Sequence, residues 1–282
     1  MTPSARQAEL KTRLTANATG SGIFAVGSWA VEWVEECPST NTTLGERARG
    51  GGRSATVLIA DHQSAGRGRL DRTWVTPVAS AFTGSVLVPV QPGHAEWLGL
   101  IPVLAGLAVL DALGALGALG AVSNAMGACL KWPNDVIVPS LGDRKVAGVL
   151  CEAAPGTVVI GIGLNRQRPV DVTGVLAERA AWISDLMGGS DTPTSVDVAV
   201  ALLSALAGRL SQWDAGPESI VADQRLHLAT IGRHVRVELP DRTWTGLAVG
   251  VDDHGQLLVV ADGETLPRTV MAADVVHLSA ID

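Results

Sequence analysis

Three β-type runs in quick succession leave this chain few ways to fold. Cys129 to Val138, Lys145 to Glu152 and Thr157 to Leu164 are apolar and rich in β-branched residues. Their connections, Pro139-Ser140-Leu141-Gly142-Asp143 and Ala154-Pro155-Gly156, have the length of hairpin turns. No crossover helix fits between them, so the strands must be antiparallel neighbours. This excludes a doubly wound dinucleotide fold. It predicts an α+β class: a mixed or antiparallel sheet with helices on one face.

The rest of the chain can be placed around that sheet. Residues 29–36, 56–60 and 80–90 read as further strands. Ser39-Thr40-Asn41 is N-cap chemistry and predicts a helix start; these side chains either cap alone or also face a pocket. The apolar stretch from Trp97 to Leu119 is interrupted by four glycines, Pro102 and Asp111, which favours a core helix over a membrane span. Residues 195–213 carry an apolar stripe at helical spacing, and a second helix is expected over 217–229. From Ile231 onward, runs at 233–239, 243–251, 256–261, 266–271 and 274–278 are short and separated by turn residues. They predict a small barrel. Residues 1–20 read as a loose tail or a short helix, and the expected division is a flexible tail over 1–25, a main domain over 26–230 and a small domain over 231–282.

Net charge decides what a basic segment can mean here. The 282 residues carry a formal charge of −7, which argues against a nucleic-acid binder. Against that background, Gln63-Ser64-Ala65-Gly66-Arg67-Gly68-Arg69-Leu70-Asp71-Arg72-Thr73-Trp74 is a local positive loop suited to a small anion. Gly66 and Gly68 allow tight turning and close approach to a ligand. Arg67, Arg69 and Arg72 offer planar forks for carboxylate or phosphate. Lys131, inside an apolar pattern, either snorkels to the surface or meets an anion. Asn134 and Asp135 read as turn residues before metal ligands. No Walker lysine or dinucleotide fingerprint is present, so any phosphate would be held by arginines, lysines and loop amides. The three cysteines (Cys37, Cys129, Cys151) lack zinc spacing and read as reduced thiols of a cytoplasmic protein.

Taken in order, Ser39-Thr40-Asn41, Gln63 through Trp74, Lys131-Trp132-Pro133-Asn134-Asp135, Lys145-Val146-Ala147-Gly148-Val149-Leu150 and Gly161-Ile162-Gly163-Leu164-Asn165 resemble the motif set of biotin protein ligases. The resemblance runs from about residue 35 to the C-terminus. It implies a catalytic domain like that of class II aminoacyl-tRNA synthetases, followed by an SH3-like barrel. The implied reaction joins biotin to ATP as biotinyl-5′-AMP and then transfers biotin to a lysine of a carrier domain. By the same resemblance, Lys131 and Arg69 are catalytic. Ser39, Thr40, Asn41, Gln63, Gly66, Arg67, Gly68, Arg69, Trp74, Lys131 and Gly148 hold biotin. Arg67, Arg69, Arg72, Lys131, Asn134, Lys145, Asn165 and Trp182 hold ATP or the adenylate, with Trp182 against adenine. ATP brings Mg2+, with no metal site of the protein itself expected. The implied partner is the biotin carboxyl carrier domain of an acyl-CoA or pyruvate carboxylase; neither DNA nor membrane is expected, and the form is a monomer or weak homodimer. Alternative readings are a lipoate or octanoate ligase or transferase on the related fold, and a non-enzymatic biotin-sensing regulator. Two positions depart from the family pattern: Asp71 replaces a usual glycine, and Arg166 a small apolar residue.

Overall fold

A computed structural model of the chain describes residues 1–17, 19–52, 55–70, 72–78, 80–117, 127–188, 191–271 and 273–278. The first part contains α1 (Pro3–Asn17), β1 (Ala30–Cys37), α2 (Thr40–Arg49), β2 (Thr56–Gln63), β3 (Ala81–Pro89) and α3 (Ile101–Ala115). There follow β4 (Cys129–Lys131), β5 (Asp135–Val138), β6 (Arg144–Ala154), β7 (Thr157–Asn165), α4 (Gly174–Arg179), α5 (Ile183–Leu186), α6 (Ser195–Ala215) and α7 (Glu218–His227). The last part is β8 (His234–Glu238), β9 (Thr243–Val251), β10 (Leu257–Ala261), β11 (Pro267–Val270) and β12 (Asp274–His277).

The first sheet has seven strands in the order β1-β2-β3-β7-β6-β5-β4. Only β1 and β2 run parallel; every other pair is antiparallel, as the short turns require. The second sheet, β11-β10-β9-β8-β12, is antiparallel throughout and forms the SH3-like barrel.

The central strands are buried on both faces, which explains their nearly continuous apolar runs. Val57, Ile59, Val86, Val88, Val158 and Ile160 face the main core with α3 and α6. Leu58, Leu87 and Val159, one residue out of step, face Leu44 and Ala48 of α2. Helices therefore cover both faces, which corrects the one-face expectation; α2 is short and polar on its outer side, so its role did not register as a covering layer. The segment Pro92–Ala115 is long and apolar enough to cross a membrane, yet α3 within it packs along α6 and over β6 and β7.

Two further expectations need correcting. The N-terminal segment is not a flexible tail. Residues Pro3–Asn17 form a helix whose Leu10 and Leu14 are buried in the core, each worth about 2 kcal/mol of apolar burial. Gln7 Oε1 accepts the outward N–H of Trp33 on the edge strand (3.0 Å), and Arg13 pairs with Asp197 (2.9 Å). Nor is Cys129 to Val138 one strand. It splits at Trp132-Pro133-Asn134, where Asn134 Nδ2 donates to the Val149 carbonyl (2.7 Å) and Val149 N–H donates back to the Asn134 carbonyl (2.9 Å).

The barrel is seated against the larger domain by its β9–β10 turn. The Gly255 carbonyl accepts from Trp132 Nε1 (3.3 Å) and from Gln224 Nε2 (3.1 Å). Gly255 has φ +74°, and a Cβ there would stand 2.5 Å from Leu100. Only glycine satisfies both the left-handed backbone and that approach.

Candidate active site

Where the cover of α2 ends, the sheet offers a smooth floor. Across neighbouring strands, Ser85, Gly161 and Leu150 lie in one row, and Thr83, Gly163, Gly148 and Asp135 in the next. The glycines leave room for side chains laid flat on the sheet. A Cβ on Gly163 would stand 2.4 Å from the Trp74 ring, and one on Gly148 3.2 Å from it. Trp74 thus reaches the floor from the basic loop, with the Lys145 ammonium 5.3 Å from its ring centre. A cavity of about 750 Å3 opens above, a size typical of small-ligand sites.

One end of the cavity is a buried polar chain. Ser39 caps α2, and Thr40 and Asn41 follow it. Thr40 donates through its N–H to Gln63 Oε1 (2.8 Å), and its hydroxyl lies 3.1 Å from the same oxygen and 2.7 Å from Ser85 Oγ. Ser85 donates to Asn41 Oδ1 (2.7 Å), while Asn41 Nδ2 donates to the Leu150 carbonyl (3.1 Å) and Glu152 (2.8 Å). Since the Ser85 proton is committed to Asn41, the single Thr40 proton serves either Ser85 or Gln63. Each member fixes the next, which makes this end rigid.

The other end is cationic. Seven cationic side chains line the cavity against four carboxylates, in a chain whose net charge is −7. The basic loop closes on itself through Trp74 N–H to the Gly66 carbonyl (3.0 Å). Gly66 itself does not line the cavity; a Cβ there would collide with the Trp74 carbonyl at 2.4 Å, so it serves the base of the loop. Arg67 pairs with Glu152 (3.0 Å). Arg69 reaches Asn134 Oδ1 (3.3 Å), the Ala273 carbonyl (3.2 Å) and Asp274 (3.6 Å), and Arg72 also pairs with Asp274. Asp71 lies outside the described residues; beside it, Leu70 takes the left-handed conformation with φ +50°.

Lys131 stands half-buried on the cavity wall, and no hydrogen bond or ion pair engages its ammonium among the described residues. Burial pushes its pKa below the ordinary lysine value, against the pull of Asp135. Asp135 spends its carboxylate on Lys145 instead (2.6 Å). Lys131 is therefore a desolvated cation short of an anion.

Besides Gly66, two expected ligand contacts are not brought to the cavity. Asn165 is buried, and its Nδ2 donates to the carbonyls of Lys145 (3.2 Å) and Ala181 (3.0 Å), tying the end of β7 to its neighbours. Trp182 is 1% exposed, with the Arg168 guanidinium 4.9 Å from its ring centre, so no face is free for adenine. Asn134 lines the cavity, but both ends of its amide are used, one to hold Arg69. Ser39, Thr40, Asn41, Gln63, Arg67, Gly68, Arg69, Arg72, Trp74, Lys131, Lys145 and Gly148 do converge on the one cavity. Sequence reasoning missed Ser85, Glu152, Asp143, Asp274 and His277; all but Asp143, which falls in a predicted turn, lie in runs already singled out as strands, but nothing in those runs marks them as facing the cavity.

His277 and Asp143 join the barrel to the cavity wall. His277 Nδ1 lies 3.2 Å from Asp143, which Arg233 also clamps, and Nε2 lies 3.0 Å from Thr230 Oγ1. Thr230 in turn accepts the Trp132 N–H (3.1 Å). A neutral ring with its proton on Nδ1 satisfies every partner. Burial pushes the His277 pKa from 6.5 down to about 4, against the pull of Asp143. The unfolded chain binds a proton near pH 6.5 and the folded one does not until about pH 4. Stability is thus fully present above pH 6.5 and declines as pH falls through this window, by on the order of 3 kcal/mol across it. Thermal melts are expected to fall between pH 7 and pH 5, and His277→Gln should flatten that dependence; an unchanged slope would show that the histidine is not held neutral.

The cysteines are free, and burial raises all three thiols, so none is an activated nucleophile. Among the described residues no group of three or more His, Cys, Asp or Glu side chains forms a metal-sized cluster.

Comparison with known proteins agrees with this geometry. Residues 33–165 match the biotin/lipoate A/B protein ligase family, and residues 230–278 the biotin protein ligase C terminal domain. The biotin–[acetyl-CoA-carboxylase] ligase of Mycobacterium tuberculosis is 39% identical over 260 residues, spanning 91% of this chain and 92% of that protein. The biotin protein ligase of Aquifex aeolicus, solved in complex with biotin and ATP, superposes with a TM-score of 0.73 at 24% identity, covering 88% of this chain and 99% of that one. The Leishmania major enzyme, in complex with biotinyl-5-AMP, gives a TM-score of 0.57 at 25% identity, covering 89% and 99%. With both domains matched and one relative similar over nearly its whole length, the chain belongs to the biotin protein ligase family.

Proposed function

We propose that this protein activates biotin with Mg-ATP and transfers it to one lysine of a biotin carboxyl carrier domain in an acyl-CoA or pyruvate carboxylase. The observation that carries this reading is the pairing of a rigid polar pocket with an unpaired, desolvated lysine across a glycine floor. In the first step a biotin carboxylate oxygen attacks the α-phosphorus, the bond to the β-phosphate bridging oxygen breaks, and pyrophosphate leaves. In the second, the carrier lysine, as a free amine, attacks the acyl carbon; an amide forms, AMP leaves and the nitrogen loses a proton.

The chain's own residues suit these demands. Two anions repel one another on approach, and fixed cations offset that repulsion and the charge that builds up during transfer. Lys131 bridges the carboxylate and the α-phosphate, with Arg67, Arg69, Arg72 and Lys145 around them. Ser39, Thr40 and Gln63 hold the polar ring of biotin, Asn41 sets their orientation, and Trp74 with Gly148 receives its apolar part. The loop from Gly66 to Trp74 shields the acyl-adenylate from water. The setting is cytoplasmic, where ATP and carrier proteins are supplied.

The test is exchange of labelled pyrophosphate into ATP, run with biotin and separately with lipoate. Exchange is expected with biotin alone, followed by transfer to an isolated carrier domain. Exchange with lipoate alone would overturn the reading.

A further inference from the structure

The three arginines of the basic loop do not hang free above the cavity. Arg67 is held by Glu152, a residue of the same sheet. Arg69 and Arg72 are held from elsewhere: both converge on one carboxylate, Asp274, the first residue of β12 in the SH3-like barrel. That side chain is only 10% exposed, and Arg69 also bonds to the carbonyl of its neighbour Ala273 (3.2 Å). Asp274 lines the same cavity as Lys131.

A nearly buried carboxylate faced by two guanidinium groups is an ion-pair contact that both cations share. It also occupies two of the cations that line the cavity. One charge set cannot serve both anions fully, because each fork that turns to the ligand leaves the aspartate. We propose that Asp274 is the resting counter-ion of the basic loop: it holds Arg69 and Arg72 when the site is empty and yields them to the phosphate of the bound nucleotide. The barrel thereby sets the resting position of the loop and competes with the ligand for it. This rests on the proposed role of the loop in holding the adenylate.

Limited trypsin digestion of the full chain tests the idea, because cleavage after Arg67, Arg69 and Arg72 reports directly on how tightly the loop is held. Without ligand, Asp274→Asn is expected to be cut there roughly tenfold faster than the wild type, and Asp274→Glu within about twofold of it, a range set by loss or retention of a partly buried charged contact. With biotin and ATP, both variants should be as protected as the wild type. The KM for ATP in pyrophosphate exchange should fall about threefold in Asp274→Asn, since a competing anion is gone. Asp274→Ser carries the same test should the amide variant fail to fold by circular dichroism. Equal ligand-free cleavage of Asp274→Asn and wild type would overturn the proposal. So would a raised KM together with lost protection in the liganded variant, which would make Asp274 a permanent part of the ligand site. If biotin and ATP fail to protect even the wild type, the reading of the ligand fails instead, and the ligand-free comparison still decides whether Asp274 holds the loop.

Discussion

Replacing Lys131 with alanine is expected to reduce biotin-dependent pyrophosphate exchange by about 10³-fold, without lowering the melting temperature. Both halves follow from its surroundings. The ammonium is half-buried and engages no partner among the described residues. Desolvating a charge costs free energy unless an anion offsets it. In the empty protein the charge is a liability, and its removal should leave stability unchanged or raise it slightly. In the reaction the same charge faces two approaching anions at close range in a site from which water is excluded, where it counts most. Lys131→Met, which keeps the bulk of the stem, should lose as much activity as the alanine variant, separating charge from packing. Exchange near the wild-type rate in either variant would show that Lys131 does not face the reacting atoms.

The contrast between Lys131 and Asp274 also shows what could be read from the sequence. A lysine in an apolar strand pattern, or three arginines among glycines in an acidic chain, departs from what folding alone requires, so the departure is visible locally. The strands from β5 to β7 were equally legible, because short turns permit only one pairing. The partner of Arg69 and Arg72 was not: Asp274 lies some two hundred residues further along the chain, and an aspartate opening a short strand looks like any turn residue. Separation in sequence also hid His277 and Asp143, 134 residues apart, which meet only once the barrel docks.

The misreadings have a common cause as well. Asn165 and Trp182 stand beside the site in sequence, but burial decides which groups remain free, and burial is a property of the whole fold. Asn165 spends its amide donors on two carbonyls, and Trp182 is sealed under Arg168. For the N-terminal residues the sequence left a loose tail and a short helix open, because only Leu10 and Leu14 of the helix are buried, too sparse a stripe to decide between them.

The glycines of β7 carry the other large expected effect. Gly161→Ala should raise the KM for biotin about 10²-fold, leave that for ATP within about threefold, and lower the melting temperature by several degrees. A Cβ at this position would stand 2.0 Å from Asn41 Oδ1, so the amide must move. Asn41 cannot move freely: it accepts from Ser85 and donates to Leu150 and Glu152. Losing two of these buried bonds costs about 2–3 kcal/mol, which corresponds to the expected factor in KM. The disturbance passes through Ser85 to Thr40 and Gln63, the end proposed for the polar ring of biotin; of the loop arginines it touches only Arg67, through Glu152, and leaves Arg69 and Arg72 on their own partners. Gly163→Ala is the informative contrast. Its Cβ would meet the Trp74 ring, which sits on a loop and can swing aside, so that variant should melt close to the wild type while still losing the floor on which the apolar part of biotin rests. If Gly161→Ala binds biotin normally and melts normally, Asn41 is not seated against the strand, and the rigidity claimed for that end of the cavity is wrong.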